Sequence, residues 1–167
     1  AQAGTKLELG EHTALYFFHP GPEAGSPLAA DSEQNGQSVV FLLQMYDARF
    51  LFTGDIDVKT EREILKRLPS LLEGPFQGLP LAPDVLKVAH HGSRHSTSRE
   101  WLNVFRPKVS VISVGKNNLY RHPSDEVIAR LQQYRSAVFR TDLHGEVQFH
   151  VTEEQLAWRS KRLSSAF

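Results

Sequence analysis

Three short apolar runs in this sequence end in side chains that can bind metal ions or transfer protons. The first ends at Asp55, the second at the pair His90 and His91, and the third leads to His122. Runs of this length between turn-forming residues are typical of buried strands, and polar side chains at strand ends usually face a cleft. We therefore expect Asp55, one or both adjacent histidines and His122 to converge at one edge of a sheet.

The residue types narrow the chemistry that such a site could perform. The chain has eight histidines and no cysteine, so a metal ion would have to be held by imidazole or carboxylate groups. His122 precedes a proline, which fixes the local backbone and suits a metal ligand. Adjacent residues that leave a strand point to opposite sides, so one imidazole of His90 and His91 can face the cleft while the other packs or hydrogen-bonds beneath it, and the sequence does not say which is which. The alternatives are an ordinary turn aspartate at Asp55 and structural, hydrogen-bonded histidines.

The loop after the histidine pair has the composition of an anion-binding pocket. Glycine, hydroxyl and cationic residues precede a helix N-terminus in the order Gly92, Ser93, Arg94, His95, Ser96, Thr97 and Ser98. We expect free backbone N–H groups and hydroxyls here to bind a phosphate group. The alternative is an ordinary loop followed by a helix cap.

Charge is unevenly distributed along the chain, although the formal net charge is zero. Residues 87–140 contain ten Lys or Arg and three acids, an excess of seven positive charges, whereas the first 86 residues contain six Lys or Arg and twelve acids. A local excess of positive charge attracts polyanions such as DNA, and we expect Lys116 and Arg121 to contribute to phosphate binding. A set of solvated helix faces is the alternative explanation.

Length and hydrophobic patterning predict one α/β domain over residues 1–167, with helices packed against a layered β-sheet. Strands are expected at 6–9, 13–18, 38–46, 49–53, 85–89 and 109–115. Helices are expected from Asp57 to Pro69, after a Ser98 cap at 99–105, and after a Ser124 cap at 125–134. Residues 137–141 and 146–152 are expected to form a hairpin, with an edge strand at 155–160.

Two further features of the sequence concern the organisation of the chain: a segment without periodicity and the lack of a long apolar run. Residues 19–37 are rich in Gly, Pro and Ala without periodicity, and we expect a flexible loop. No apolar run approaches the length of a membrane span, and the start has neither Met nor signal-peptide features. These features indicate a piece of a longer protein.

Six segments through most of residues 35–150 carry a family resemblance. They are 35–41, 50–55, 84–93, 107–115, 118–123 and 140–145, and the most specific are Lys-Val-Ala-His-His-Gly-Ser at 87–93 and Tyr-Arg-His-Pro at 120–123. In this order they resemble the C-terminal half of the metallo-β-lactamase-like domain of ComEC-type competence proteins. Those proteins are membrane channels that internalise transforming DNA.

The resemblance implies the second half of an αββα sandwich and specific roles for the strand-end residues. By it, Asp55 corresponds to a metal-bridging aspartate and His122 to the last histidine ligand. His90 or His91 corresponds to a site histidine that binds or protonates the phosphate. Arg121 stands where the family has glycine, and the family's His-x-His-x-Asp-His signature, which supplies most metal ligands, is absent from this sequence.

The function implied is that of a metal-dependent, nuclease-like phosphodiester hydrolase that uses zinc or manganese. Its partner would be single-stranded DNA, and its parent a bacterial membrane protein that carries this domain on the extracytoplasmic side. Because the signature is missing, we expect this chain to lack a complete metal centre and to be inactive alone. The alternatives are a non-catalytic DNA-binding or interaction module, or another hydrolase of the metallo-β-lactamase superfamily that acts on a small ester or phosphodiester.

Overall fold

The computed structural model of the chain describes residues 2–21 and 37–161. Within them, seven strands form one sheet whose spatial order follows the sequence. These strands are β1 (Lys6–Gly10), β2 (Thr13–His19), β3 (Val40–Met45), β4 (Ala48–Phe52), β5 (Val85–Lys87), β6 (Val109–Ile112) and β7 (Ala137–Arg140). The layered α/β class predicted from the sequence is therefore confirmed, and each of these strands lies within or next to a predicted one.

The direction of the strands brings the candidate residues to one edge. Strands β1 to β4 are antiparallel neighbours, whereas β4, β5, β6 and β7 run parallel. The C-terminal ends of parallel strands lie at the same edge of a sheet, which is where open α/β folds usually bind ligands. The segments that follow β4, β5 and β6 therefore leave the sheet side by side, at what we call the C-terminal edge.

Helices cover one face of this sheet and a hairpin covers the other. The larger core combines residues from the helices, such as Ile64, Trp101 and Leu131, with strand residues such as Leu51 and Leu86. The smaller core, on the opposite face, packs Ala48, Phe50, Val85 and Val109 against Phe149, Val151 and Leu156. Burying one such apolar side chain contributes roughly 1.5–3 kcal/mol, so both layers hold the sheet in place.

The helices are α1 (Val58–Glu73), α2 (Arg99–Phe105), α3 (Asp125–Gln133) and the short α4 (Thr141–His144). The three predicted caps are confirmed. Asp57 accepts from the N–H of Thr60 at 2.8 Å, Ser98 from Trp101 at 3.2 Å, and Ser124 from Val127 at 3.4 Å.

The predicted end of α1 at Pro69 is wrong, because the helix continues to Glu73. Proline lacks an N–H and therefore removes one backbone hydrogen bond from the helix. Leu71 and Leu72 lie beyond it and pack against the larger core. The apolar surface that they bury offsets the lost hydrogen bond, so the helix is maintained.

The predicted hairpin of 137–141 with 146–152 is also wrong. β7 pairs in parallel with β6, and α4 follows it directly. The hairpin is formed instead by β8 (Val147–Val151) and β9 (Leu156–Ser160), which make a separate two-stranded sheet. The sequence alone could not separate these pairings, because β7 finds its partner more than twenty residues upstream.

Two further sequence predictions concern the loop at 19–37 and the lack of a membrane span. The flexible loop expected at 19–37 lies for the most part, at 22–36, outside the described residues. Within the described ranges, none of the helices combines the length and the hydrophobicity needed to cross a membrane.

Candidate functional site

Asp55 leaves the end of β4 through a glycine turn that fixes its position. Gly54 has φ +54°, and a Cβ atom there would lie 2.7 Å from the Cβ of Ser38, so the turn requires glycine. Ser38 accepts a hydrogen bond from the N–H of Asp55 at 3.0 Å, and Thr53 donates to the carbonyl of Lys87 at 2.6 Å. These contacts hold the Asp55 carboxylate, 38% exposed, at the C-terminal edge.

The histidine pair lies in a left-handed turn rather than at the end of an extended strand. β5 ends at Lys87, and His90 and His91 have φ values of 46° and 53°. Gly92 follows with φ 81°. Left-handed backbone at a non-glycine residue costs on the order of 1–3 kcal/mol, persists only where the surroundings enforce it, and occurs preferentially at functional sites.

Neighbouring loops enforce this turn. The N–H of His90 donates to the carbonyl of Gly54 at 3.1 Å, and the N–H of Ser124 donates to the carbonyl of Gly92 at 2.9 Å. A Cβ atom at Gly92 would lie 2.5 Å from the Cβ of Pro123, so the glycine allows the two backbones to approach closely. The turn therefore joins the loop of Asp55 to the loop of His122.

Both imidazoles of the pair belong to the same cluster, and His91 also makes a hydrogen bond to the carbonyl of Ser113, so which ring faces the cleft stays a prediction. His91 Nε2 lies 3.7 Å from Asp55 Oδ2. The ring centroids of His90 and His122 are 5.8 Å apart, and those of His90 and His91 are 6.4 Å apart. The left-handed turn removes the side-to-side alternation of an extended strand. Asp55, His90, His91 and His122 thus converge as the strand ends predicted, while their roles in binding stay predictions.

Lys87 completes what we call the edge cluster: Asp55, Lys87, His90, His91 and His122. Its ammonium nitrogen lies 3.7 Å from Asp55 Oδ1 and donates to the carbonyl of Gly54 at 3.2 Å. Burial lowers the pKa of Lys87, while the Asp55 carboxylate raises it by a smaller amount. Lys87 was not singled out as a site residue from the sequence, although its position at the end of β5 was the available signal.

His91 presents a defined nitrogen to the cluster. Its Nδ1 lies 2.7 Å from the carbonyl oxygen of Ser113, an acceptor, so Nδ1 must carry the proton of that hydrogen bond. The neutral ring then has its lone pair on Nε2, on the side of Asp55. This tautomer leaves Nε2 able to accept a proton or to bind a cation.

His122 is held by its own loop. The N–H of His122 donates to Asn118 Oδ1 at 2.8 Å, and Asn118 Nδ2 donates back to the carbonyl of His122 at 2.8 Å. Burial lowers the pKa of His122, with smaller electrostatic contributions from His90, His91 and Arg94. The imidazole is therefore neutral at neutral pH, and Arg94 lies close enough to act on the cluster electrostatically.

The donor set of the cluster does not fit the dinuclear metal centre that the family resemblance implies. Such a centre holds two cations roughly 3.5–4 Å apart with ligands on every side. Within residues 2–21 and 37–161, no group of three or more His, Asp or Glu side chains is arranged to hold a metal ion. Asp55 instead faces Lys87 and His91. The ligand roles expected of Asp55 and His122 stay predictions.

Most of the donors predicted in the loop after the histidine pair are engaged in hydrogen bonds within the fold. Ser96 Oγ donates to the carbonyls of Ala89 and Ser93, both at 3.0 Å. Ser93 Oγ accepts from the N–H of His95 at 3.3 Å. Ser93, Ser96 and Thr97 are buried, and the Thr97 hydroxyl has no hydrogen-bond partner among the described residues. The Ser96 hydroxyl is therefore not free, and the Thr97 hydroxyl, free among the described residues, is buried, whereas Arg94 and His95 are exposed. The phosphate-binding roles of these residues stay predictions.

A buried glutamate braces this loop and was missed from the sequence. Glu61 on α1 is fully buried and accepts hydrogen bonds from the N–H of Thr97 at 2.5 Å and of Ser98 at 2.9 Å. Burial raises the pKa of Glu61, while hydrogen bonds from Ser98 and Thr97 and the charge of Arg130 lower it by smaller amounts. The available signal was its place on the apolar face of α1, three residues before Ile64.

The basic residues of 87–140 do not form a single surface. Lys108 pairs with Asp84 at 2.8 Å, where β5 and β6 begin, and Arg140 pairs with Asp142 at 2.6 Å. Arg130 donates to the carbonyls of Ser96 and Thr97 and braces the loop after the histidine pair. The exposed cations beside the edge cluster are those of the loops that carry it, Arg94, Lys116 and Arg121.

Comparison with known proteins supports the resemblance. The chain is 35% identical over 135 residues to ComE operon protein 3 of Bacillus subtilis, which is 81% of this chain and 16% of that protein. It is 36% identical over 117 residues to Competence protein ComA of Neisseria gonorrhoeae, 70% of the chain and 16% of the relative. It is 34% identical over 128 residues to Recombination protein 2 of Haemophilus influenzae, 77% of the chain and 15% of the relative. The chain is a homologue of part of these competence proteins.

This homology confirms the resemblance to ComEC-type competence proteins. The metal centre and the nuclease activity that the resemblance implies stay predictions. The matched segments span 15–16% of the length of these three relatives. No protein-family profile matches the chain, and the metallo-β-lactamase-like assignment stays a prediction.

Proposed function

We propose that this chain is the DNA-contacting part of a competence-related DNA-uptake protein, and that its C-terminal edge binds the phosphodiester of incoming DNA. The observation that carries the proposal is the convergence of Lys87, His90, His91 and His122 around the Asp55 carboxylate. Such a cluster, with Arg94 beside it, carries more positive than negative groups and suits an anion. The homology to competence proteins supports DNA as that anion.

Each residue of the edge cluster has a chemical part in this proposal. Lys87 offsets the charge of Asp55, so that an anionic phosphate can approach the carboxylate. Arg94 and His90 donate to phosphate oxygens, and a guanidinium is well suited to this because it forms paired hydrogen bonds. His91, with Nδ1 held by Ser113, keeps Nε2 available to take up a proton from water, and the protonated ring can then donate to a phosphate oxygen.

A more specific proposal concerns the type of domain and the longer protein to which this chain belongs. We infer that this chain is the second half of a metallo-β-lactamase-like phosphodiesterase domain, carried on the extracytoplasmic side of a bacterial membrane protein. The homologues are several times longer than the chain, which supports a longer parent. A non-catalytic DNA-binding module is the second candidate, and the incomplete donor set of the described residues favours it.

The isolated chain is expected to bind single-stranded DNA without cleaving it. Binding follows from the exposed cations beside the edge cluster, Arg94, Lys116 and Arg121, and should weaken steeply with added salt, because phosphate contacts release condensed cations. Cleavage is not expected, because a two-metal centre needs ligands that the described residues do not assemble. Labelled single-stranded and double-stranded DNA should be incubated with the chain in magnesium, manganese or zinc and followed by gel shift and by denaturing gels.

The matched control is the double variant Asp55→Ala, His122→Ala. The absence of any salt-dependent binding by the wild-type chain would overturn the proposed function. Metal-dependent cleavage that the double variant abolishes would instead contradict the expectation that the chain is inactive alone. It would show that Asp55 and His122 support catalysis without the missing His-x-His-x-Asp-His signature.

A further inference from the structure

The loop between β6 and α3 carries two highly exposed apolar side chains at its tip. Leu119 is 95% exposed and Tyr120 is 81% exposed. Adjacent exposed apolar side chains rimmed by polar residues are a feature of binding surfaces. Their neighbours are the exposed cations Lys116 and Arg121, so the surface that they form is both apolar and positively charged.

This tip is held in a defined shape. Asn118 Nδ2 donates to the carbonyls of Gly115 at 3.1 Å and of His122 at 2.8 Å, and Asn118 Oδ1 accepts from the N–H of His122. The side chain of Asn118 thus closes the loop from both ends. A side chain presented by a braced loop loses little conformational freedom when it binds a partner.

The orientation of Tyr120 leaves one ring face available. Its ring lies 5.9 Å from the ring of His122 between centroids, with 18° between their planes. One face of Tyr120 is thus turned towards the edge cluster, while its 81% exposure leaves the other open to solvent. An open aromatic face beside a phosphate-binding cluster is the arrangement by which proteins stack unpaired bases.

We infer that Tyr120 is a stacking platform for an unpaired nucleotide base whose neighbouring phosphate lies at the edge cluster. This inference rests on the proposed function and deepens it, because it names the residue that selects unpaired bases over duplex DNA. Bases in a duplex are stacked on each other and do not offer a free face. Lys116 and Arg121 bind the backbone on either side of the stacked base, and Leu119 contacts its edge.

The test compares two probes that differ only in their bases. One is a fluorescent oligothymidylate of about 12 nucleotides, within the usual site size, and the other is an abasic strand of the same length. The variant Tyr120→Ala is expected to bind oligothymidylate about tenfold more weakly, in line with the usual contribution of one stacked base. It is expected to bind the abasic strand as the wild type does, because the phosphate contacts are unchanged.

Two control variants sharpen the comparison. Tyr120→Phe keeps the ring and is expected to retain affinity for oligothymidylate. Trp158→Ala removes an aromatic ring that is 51% exposed on β9, in the hairpin and not in the loops that carry the edge cluster, and is expected to change neither affinity. Salt-dependent binding of both probes with no effect of Tyr120→Ala on oligothymidylate, or an equal loss on both probes, would overturn the platform alone. Failure of the wild-type chain to bind either probe would overturn the proposed function and the platform together.

Discussion

Reversing the charges of Arg94, Lys116 and Arg121 with glutamate is expected to lower the affinity for single-stranded DNA about a hundredfold at low salt. These three side chains are exposed on the two loops that carry the edge cluster. Each phosphate contact to single-stranded DNA contributes about 0.7 to the slope of log affinity against log salt. Loss of three contacts should therefore reduce that slope by about 2, which fluorescence anisotropy at several salt concentrations would measure.

The matched control reverses three exposed cations elsewhere in the fold, Lys66, Arg106 and Arg135. Lys66 lies within α1, and the other two lie in the short segments that lead into β6 and β7, at the edge opposite the cluster. The control changes the net charge by the same amount, so a long-range charge effect would weaken binding equally in both variants. Equal loss in the two triple variants would contradict the assignment of the binding surface to the C-terminal edge.

Replacing Glu61 with alanine is expected to destabilise the fold by about 2–4 kcal/mol, because two buried N–H groups lose their acceptor and a cavity remains. Thr97 and Ser98 are the donors, and both belong to the loop that follows the histidine pair. Urea unfolding should show a lower midpoint with an unchanged slope. Glu63→Ala, an exposed glutamate on the same helix, is the control and should have little effect.

The pH dependence of this site has a definite sign. Burial raises the pKa of Glu61 above its ordinary value of 4.5 in the folded protein. The folded state therefore retains a proton that the unfolded chain has released, and the stability due to that proton is lost as pH rises through the folded pKa. The stability of wild type relative to Glu61→Gln should thus fall as pH is raised above 4.5. A difference that stays constant or rises with pH would contradict the burial of this carboxyl group.

The sequence predicted those structural elements that are stabilised by contacts between residues close to each other along the chain. Caps at Asp57, Ser98 and Ser124 were predictable because each hydroxyl or carboxylate bonds to an N–H within its own first turn. The strand ends were predictable because apolar runs stop where the chain leaves the sheet. The convergence of Asp55 with the histidines then followed from parallel pairing of β4, β5 and β6.

The features that the sequence could not predict depend on distant contacts. The left-handed turn at His90 and His91 is enforced by Gly54 and by Pro123, which lie more than thirty residues away on either side. The apolar run before His90 and His91 predicts an extended backbone for both residues. The tertiary contacts override this local preference. The burial of Ser93, Ser96 and Thr97 follows from the same cause, since Glu61 on α1 and Arg130 on α3 bind the backbone of their loop.

Histidine ring resonances offer the most direct test of phosphodiester binding at the C-terminal edge. The chain would be titrated with oligothymidylate at low salt, with resonances assigned by single His→Gln variants. We predict that His90, His91 and His122 shift together and that added salt reverses the shifts. His12, in the turn between β1 and β2 at the opposite edge, and His150, exposed on β8, should stay unchanged. Shifts at His12 or His150 as large as those of the cluster, or an unshifted cluster when DNA is bound, would contradict the account.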